Sequence, residues 1–397
     1  MSNKFSLLAI FSFVALLLSP SVANAQTDDD ESTITNDDYN PIPTSVQMLN
    51  IGPEGRGTGM GDAGVATTPD IGAQYWNPAK YVRMDSKAGA MLSITPWLRH
   101  IISDINLFYL VGYYKINERN AVSASVRYFS LGDLVFTNDN GDEEGEYEPK
   151  EFCIDAAYSL ALSKRLSGAI ALRYIHSDLG FQFDDDGYSK GNAFAADIAF
   201  YFKNRLNVGN GADLMAGINI SNIGSKISYD DGVTNEYLPA NLRLGVGFWY
   251  DIDNYNKIGA TVDFNKLLVP TPDYRSTDDD EDMYTKRQAY YDKSVVSAIF
   301  SSFGDATRGG KEELEEIDIC GGIEYTYNNM FSARFGYHHN HENKGNLKYC
   351  TVGLGVKYQM IDVNASYVFA VGDANNNSAL ANTVRISLGF DLGRFIH

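Results

Sequence analysis

From Ala88 onward the chain repeats one unit: about ten residues that alternate apolar with polar or small side chains, followed by a turn, as in the segments of a transmembrane β-barrel. In the last unit Val384, Ile386, Leu388, Phe390 and Leu392 share one face, and Arg385, Ser387, Gly389 and Asp391 share the other. Side chains alternate across a strand with period two, so each unit has one apolar and one wet face. The turns sort by parity. Tight, often basic turns at residues 117–120, 163–166, 327–330 and 359–362 alternate with longer polar or acidic ones at 132–150, 183–190, 224–239, 267–315, 338–346 and 372–381. A β-sandwich has no reason to sort its loops this way, whereas a barrel with one end toward the periplasm and the other outside has. About fourteen strands are legible, an even number as bacterial single-chain barrels require. The expected fold is all-β: a transmembrane antiparallel barrel over residues 87–397, with a small N-terminal plug at 46–86. Arg127, Arg173, Asp197, Arg243, Asp263, Glu324 and Arg334 fall on the wet face, and buried charges of this kind need partners in the lumen.

Composition agrees with a barrel and excludes other classes. Tyr (26) and Phe (21) are abundant enough to form aromatic girdles at two membrane interfaces. Mean hydropathy is only −0.24, as expected when alternate residues alone face lipid. The net charge of −19 argues against a nucleic-acid partner. The acid is clustered at 28–31, 142–148, 184–186, 278–282 and 312–316, which reads as solvated loops, the sharper alternative being divalent-cation binding near membrane lipopolysaccharide. Asp184-Asp185-Asp186-Gly187 lacks the spacing of a calcium-binding loop, so no metal is assigned. Cys153, Cys320 and Cys350 are too few and odd for a disulfide framework, and parity puts Cys320 inward and Cys350 outward.

Residues 1–25 read as a secretory signal peptide. Lys4 precedes a short apolar run, and Ala23-Asn24-Ala25 is a small-x-small cleavage site. Residues 26–45 are acidic and polar, and are expected to form a flexible arm on the periplasmic side. Residues 46–86 differ in kind. Gly52, Gly55, Gly57, Gly59, Gly61 and Gly64 surround Arg56 and Met60, and Trp76-Asn77-Pro78-Ala79 follows. A nucleotide site is rejected, because no strand–turn–helix context or P-loop lysine accompanies Gly57-Thr58-Gly59. A loop-rich plug packed in the lumen fits instead, with Arg56, Gly57, Gly59, Gly61, Trp76, Asn77, Pro78 and Ala79 as its motif residues.

Chemistry is sparse. His338, His339 and His341 form a weak metal signal with no cysteine beside them in sequence, and no nucleophile–base constellation can be assembled. No catalytic residue, cofactor or metal is expected. In the long connection 267–315, Val295, Val296, Ile299, Phe300 and Phe303 recur at helical spacing, predicting a short helix packed on the barrel rim. That connection and 132–150 are the candidate docking loops. Asp142, Glu143, Glu146, Tyr147, Tyr274, Tyr290, Tyr291, Phe300 and Phe303 are their candidate contact residues, chosen on length and composition.

The run Gly57-Thr58-Gly59-Met60-Gly61-Asp62-Ala63-Gly64-Val65-Ala66, with Trp76-Asn77-Pro78-Ala79, resembles the start of FadL-like outer-membrane barrels. Together with Ile51-Gly52-Pro53-Glu54-Gly55-Arg56-Gly57 it more closely resembles the PorV (LptO) family, barrel subunits of the type IX secretion system of Bacteroidetes. The resemblance covers essentially the whole mature chain. It implies a non-enzymatic outer-membrane protein that binds a SprA-type translocon barrel. Such a protein would receive secreted cargo by its type IX C-terminal domain and pass it to a PorU-containing complex, which anchors cargo to lipopolysaccharide. The same resemblance leaves two alternatives: a FadL-like transporter of hydrophobic small molecules, and a lipopolysaccharide deacylase. The second would need an activated nucleophile that the sequence does not name.

Overall fold

The computed structural model describes residues 39–97, 104–137, 143–179, 189–274, 280–371 and 383–393. Its main body is a closed antiparallel barrel of fourteen strands, each paired with its neighbour in sequence. In chain order the strands are β1 (Ala88–Pro96), β2 (Asn106–Asn117), β3 (Asn120–Ser130), β6 (Lys150–Ala161), β7 (Leu166–Asp178), β8 (Gly191–Leu206) and β9 (Ala212–Gly224). They continue with β10 (Asn241–Asp251), β11 (Asn256–Leu267), β12 (Ile317–Tyr327), β13 (Phe331–His339), β14 (Lys348–Tyr358), β15 (Ile361–Ala370) and β16 (Val384–Asp391). Pairing of β1 with β16, from Gly89–Asp391 to Ile94–Ile386, closes the ring and leaves no edge. A separate hairpin, β4 (Leu134–Thr137) with β5 (Glu143–Tyr147), stands within the long connection after β3.

The alternation in sequence becomes an apolar exterior. Val384, Ile386, Leu388 and Phe390 are exposed on the outside of β16, while Arg385 and Ser387 are buried inside. Phe194, Ile198 and Phe200 on β8, and Leu354 on β14, likewise face outward. One tight turn shows how the short connections are made: Asn328 and Asn329, between β12 and β13, both take positive φ. Positive φ at both central positions is what a type I′ turn requires, here closed by Met330 N donating to Tyr327 O (3.0 Å), and asparagine tolerates it.

The long connection after β11 departs from the single helix expected there. Helix Asp280–Asp292 ends before Ser294, whose hydroxyl caps the helix Val295–Ser301 by accepting from the Ser297 amide, and Gly310–Glu315 adds a third. Ala298 is the buried position of the second helix. Of the apolar stripe, Val295 and Ile299 are half-buried, while Val296, Phe300 and Phe303 point outward at 65%, 76% and 53% exposure.

Residues 39–45 also depart from expectation. They are held at the long-loop end of the barrel. The Asn40 amide donates to Asn343 O (2.9 Å), and its side chain donates to Pro272 O (3.0 Å) and Glu312 Oε1 (3.1 Å). The Ser45 amide donates to Tyr237 O (2.9 Å). All four partners belong to long connections. The chain then descends through the lumen to the short-turn end, where Arg83 Nη2 donates to Ser163 O (2.6 Å) and Leu166 O (2.8 Å). A flexible periplasmic arm reaching residue 45 is therefore corrected: polar composition did not reveal that buried backbone and amide partners wait at the mouth.

Candidate functional site

The luminal segment, residues 46–86, is organised around Trp76. Its indole Nε1 donates to Glu54 Oε1 (2.7 Å). The same carboxylate accepts from the amides of Arg56 (2.5 Å) and Gly57 (2.6 Å), capping the helical turn Gly55–Thr58. The glycine density follows from this ring. A Cβ on Gly57 would lie 2.5 Å from Trp76 Cε2, and one on Gly64 would lie 2.4 Å from Trp76 Cδ2. Against the wall the approach is closer still. Gly61 has φ of +73°, and a Cβ on Gly336 of β13 would lie 2.0 Å from the Gly61 nitrogen. Backbone stacks on backbone there, and only glycine on both sides allows it.

Polar side chains of the wall bind this segment all round the barrel. Gly55 N donates to Ser387 Oγ (2.9 Å) and Gly61 N to Thr351 Oγ1 (2.9 Å). Gly64 N and Val65 N both donate to Asp263 Oδ2, at 2.6 and 2.8 Å. Asn219 Nδ2 donates to Trp76 O (3.0 Å), and Ser159 and Ser167 donate to Pro78 O and Ala79 O at 2.8 and 2.7 Å. Asn77 does three things at once. It accepts from Ala79 N (3.1 Å) to cap the 3₁₀ turn Pro78–Arg83, whose first position Pro78 fills. Its amide also donates to Val65 O (3.1 Å) and to Phe200 O of β8 (2.9 Å).

The ionic centre is Arg56. It contacts Glu324 of β12 at 3.0 Å and Asp70 at 2.9 Å, and Glu324 also takes Arg334 Nε at 2.7 Å. Arg334 continues to Asn364 (2.8 Å), and Trp249 Nε1 donates to Glu324 (3.1 Å). A second wall cluster sets Arg173 between Asp155 (3.3 Å) and Asp197 (2.8 Å). Arg173, Asp197, Asp263, Glu324 and Arg334 are thus satisfied partly by each other and partly by the luminal segment, Arg243 donates to the Tyr75 hydroxyl (2.8 Å), and Arg127 reaches Asp155 only at 3.9 Å with its Nε and Nη1 unpartnered. All eight motif residues named from sequence lie in this one assembly. Sequence reasoning missed Glu54, Gln74 and Lys80 as members. Lys80 is fully buried, donating to Gly64 O (2.8 Å) and Thr67 Oγ1 (2.9 Å), and a lysine one residue past Asn-Pro-Ala gave no periodic signal.

Above the luminal segment, at the long-loop end, lies a cavity of about 510 Å³. Ile51, Trp97, Ile105 and Phe129 line one side and Arg243, Arg385, His338 and Asp318 another, so the cavity is amphipathic. At its rim, helix Gly310–Glu315 is bound through Glu312, which accepts from Lys344 Nζ (2.7 Å), Arg308 N (2.9 Å) and Asn40 Nδ2 (3.1 Å). These donors, led by the hydrogen bond from Lys344, hold the Glu312 carboxyl down to about 2 against the cost of burying it.

The candidate contact residues on the long loops divide. Asp142 lies outside the described residues. Glu143 opens β5, Glu146 is exposed, and the Tyr147 hydroxyl bonds Asp178. Tyr274 and Tyr290 are corrected: both are buried, in an aromatic cluster with Tyr237, Val269 and Ala298 against which Tyr291 packs. They hold the helices to the rim, because an aromatic ring at the root of a long excursion supplies its core. Phe300 and Phe303 stand exposed. The histidines separate as well. His338 faces inward and its Nδ1 lies 3.1 Å from Cys320 Sγ, while His341 caps the turn Glu342–Lys344. Cys320 is fully buried and does not line the cavity, so this pair offers no accessible nucleophile. Among the described residues no group of three or more His, Cys, Asp or Glu is placed to hold a metal ion.

A closed, even-stranded barrel with an apolar exterior, short turns at one end, long loops at the other and its lumen filled by its own N-terminal residues is an integral outer-membrane barrel protein. The family model for type IX secretion system protein PorV matches residues 34–274. The chain belongs to that family, and so is an outer-membrane component of type IX secretion. Among solved structures it is similar to the Ralstonia pickettii toluene transporter TbuX, at 12% identity over 86% of this chain and 97% of that one, with a TM-score of 0.46. The Pseudomonas putida toluene transporter TodX is 10% identical over 86% and 97%, TM-score 0.48. A Pseudomonas aeruginosa FadL homologue is 11% identical over 89% and 99%, TM-score 0.40. No curated protein matches the chain.

Proposed function

We propose that this protein is a non-catalytic carrier that takes type IX cargo from a SprA-type translocon barrel to a PorU-containing attachment complex, holding the cargo by its C-terminal domain at the long-loop end. The carrying observation is the family match over residues 34–274, set beside a lumen occupied from β3 round to β16 by hydrogen-bonded luminal residues. Residues 46–86 act in this reading as a plug, so cargo is handled outside the barrel. The exposed Val296 and Phe300 on the rim helix Val295–Ser301, with Phe303 in the turn after it, supply the apolar contact, and the β4–β5 hairpin offers a sheet edge for strand addition. The test is deletion of residues 280–303 with a short glycine–serine bridge. The variant inserts as a folded barrel and loses capture of tagged cargo C-terminal domains. Normal capture by the inserted variant overturns the assignment of the rim helices.

One observation favours a second reading. The amphipathic cavity of about 510 Å³ has the size and apolar wall of a small-molecule site, as a FadL-like transporter of hydrophobic compounds would need. Lipid extracted from purified protein, stoichiometric and lost on substitution of cavity residues, supports that reading.

A further inference from the structure

We propose that residues 39–51 form a releasable strap across the long-loop mouth, which opens separately from the rest of the luminal segment and controls access to the cavity. Three observations carry this. First, the strap is one side of the cavity: Ile42, Thr44, Gln47, Asn50 and Ile51 line it. Second, its upper part is tied to long connections of the mouth. Asn40 meets Asn343, Pro272 and Glu312, and Ser45 meets Tyr237 and the Glu236 carboxylate. Residues 52–83, by contrast, are bonded to barrel strands on all sides. Third, the strap turns at Val46, which sits at φ 54°, ψ 58°. A β-branched residue in the left-handed region is strained and persists only where its surroundings impose it. Closure is driven by burial of Val46, Met48 and Leu49 with Trp97, Ile105, Phe129 and Ile175. Apolar burial and a small polar latch thus oppose a strained turn, which is the balance a two-state element requires.

The apolar cluster beneath the strap contains its own reporter, Cys153, which is fully closed off from solvent. The experiment measures maleimide labelling of Cys153 by mass spectrometry in the full-length protein in detergent, with Cys320→Ala and Cys350→Ala as background. Val46→Gly and Val46→Ala both remove the side chain, but glycine accepts the left-handed conformation and alanine does not. Cys153 is expected to label about fivefold more slowly in Val46→Gly than in Val46→Ala. An oxidised Ser45→Cys, Glu236→Cys pair is expected to slow Cys153 labelling at least about tenfold, reversed by reductant. Amide exchange in residues 39–51 is expected to run ahead of that in 52–83. Equal labelling of the two Val46 variants, or indifference to the crosslink, overturns the strap, as does exchange of both segments in step. None of these readouts involves cargo, so the strap stands or falls apart from the carrier reading.

Discussion

Replacing Arg56 by Ala should undock the luminal segment while the barrel stays closed. Arg56 is the one luminal side chain that joins Asp70 at 2.9 Å to Glu324 of the wall at 3.0 Å, and its side chain is 13% exposed against 5% for Glu324. Removing one partner of a buried ion pair costs about 3–5 kcal/mol, because the remaining charge is left undercompensated. Here Glu324 keeps Arg334 at 2.7 Å and Asp70 keeps only Lys80 at 3.6 Å, so the lower half of that range is expected. At about 1.4 kcal/mol per decade, amide exchange of residues 55–77 should accelerate by about one hundredfold to a thousandfold. The barrel amides should hardly change, since their ladders do not depend on Arg56. Hydrogen exchange with mass spectrometry on protein in detergent reads both regions at once. A cycle with Glu324→Gln should return a coupling of about 0.5–3 kcal/mol. Unchanged exchange in 55–77, or loss of the barrel together with the luminal segment, would refute the reasoning.

Asn77→Ala with Pro78→Ala removes a cap and two bonds to Val65 and Phe200, and is expected to raise ion leakage in planar bilayers while insertion is retained. Gly336→Ala puts a methyl group 2.0 Å from the Gly61 nitrogen, and overpacking of about 1–3 kcal/mol should leave the luminal segment protease-sensitive inside a heat-modifiable barrel. Glu312 is held at about 2 in the folded protein, below its ordinary 4.5. Its contribution is therefore complete above pH 4.5 and lost as pH falls toward about 2. Exchange of residues 341–346 should accelerate across that window, and Glu312→Gln should abolish the step.

The barrel was legible because lipid imposes a rule on every second residue. An outward polar side chain or an unpaired strand edge in hydrocarbon is costly, so the alternation from Ala88 to Asp391 could be written only one way. Parity of the turns fixed which end carries the long loops, and the glycine run marked a segment of close backbone approach. Inward Arg127, Asp263 and Glu324 announced that partners exist but not which ones. Arg56 and Glu324 are separated by 268 residues, and no local pattern connects them. The rim was less readable for a related reason. Tyr274, Tyr290, Phe300 and Phe303 look alike in a loop with no lipid rule, and only packing sorts the first two into a buried cluster and leaves the last two outside.

Wall and strand number thus come from one-dimensional pattern, since period and turn chemistry are local properties of the chain. The path of residues 39–86, entering at the long-loop mouth and leaving beside the turn at Ser163, is a property of closure. Once fourteen strands form a ring, many of their inward donors and acceptors find partners in each other or in the one luminal segment. Which backbone fits there is decided by glycine facing glycine at Gly61 and Gly336, and by a single tryptophan, Trp76, seated among Glu54, Gly57 and Gly64.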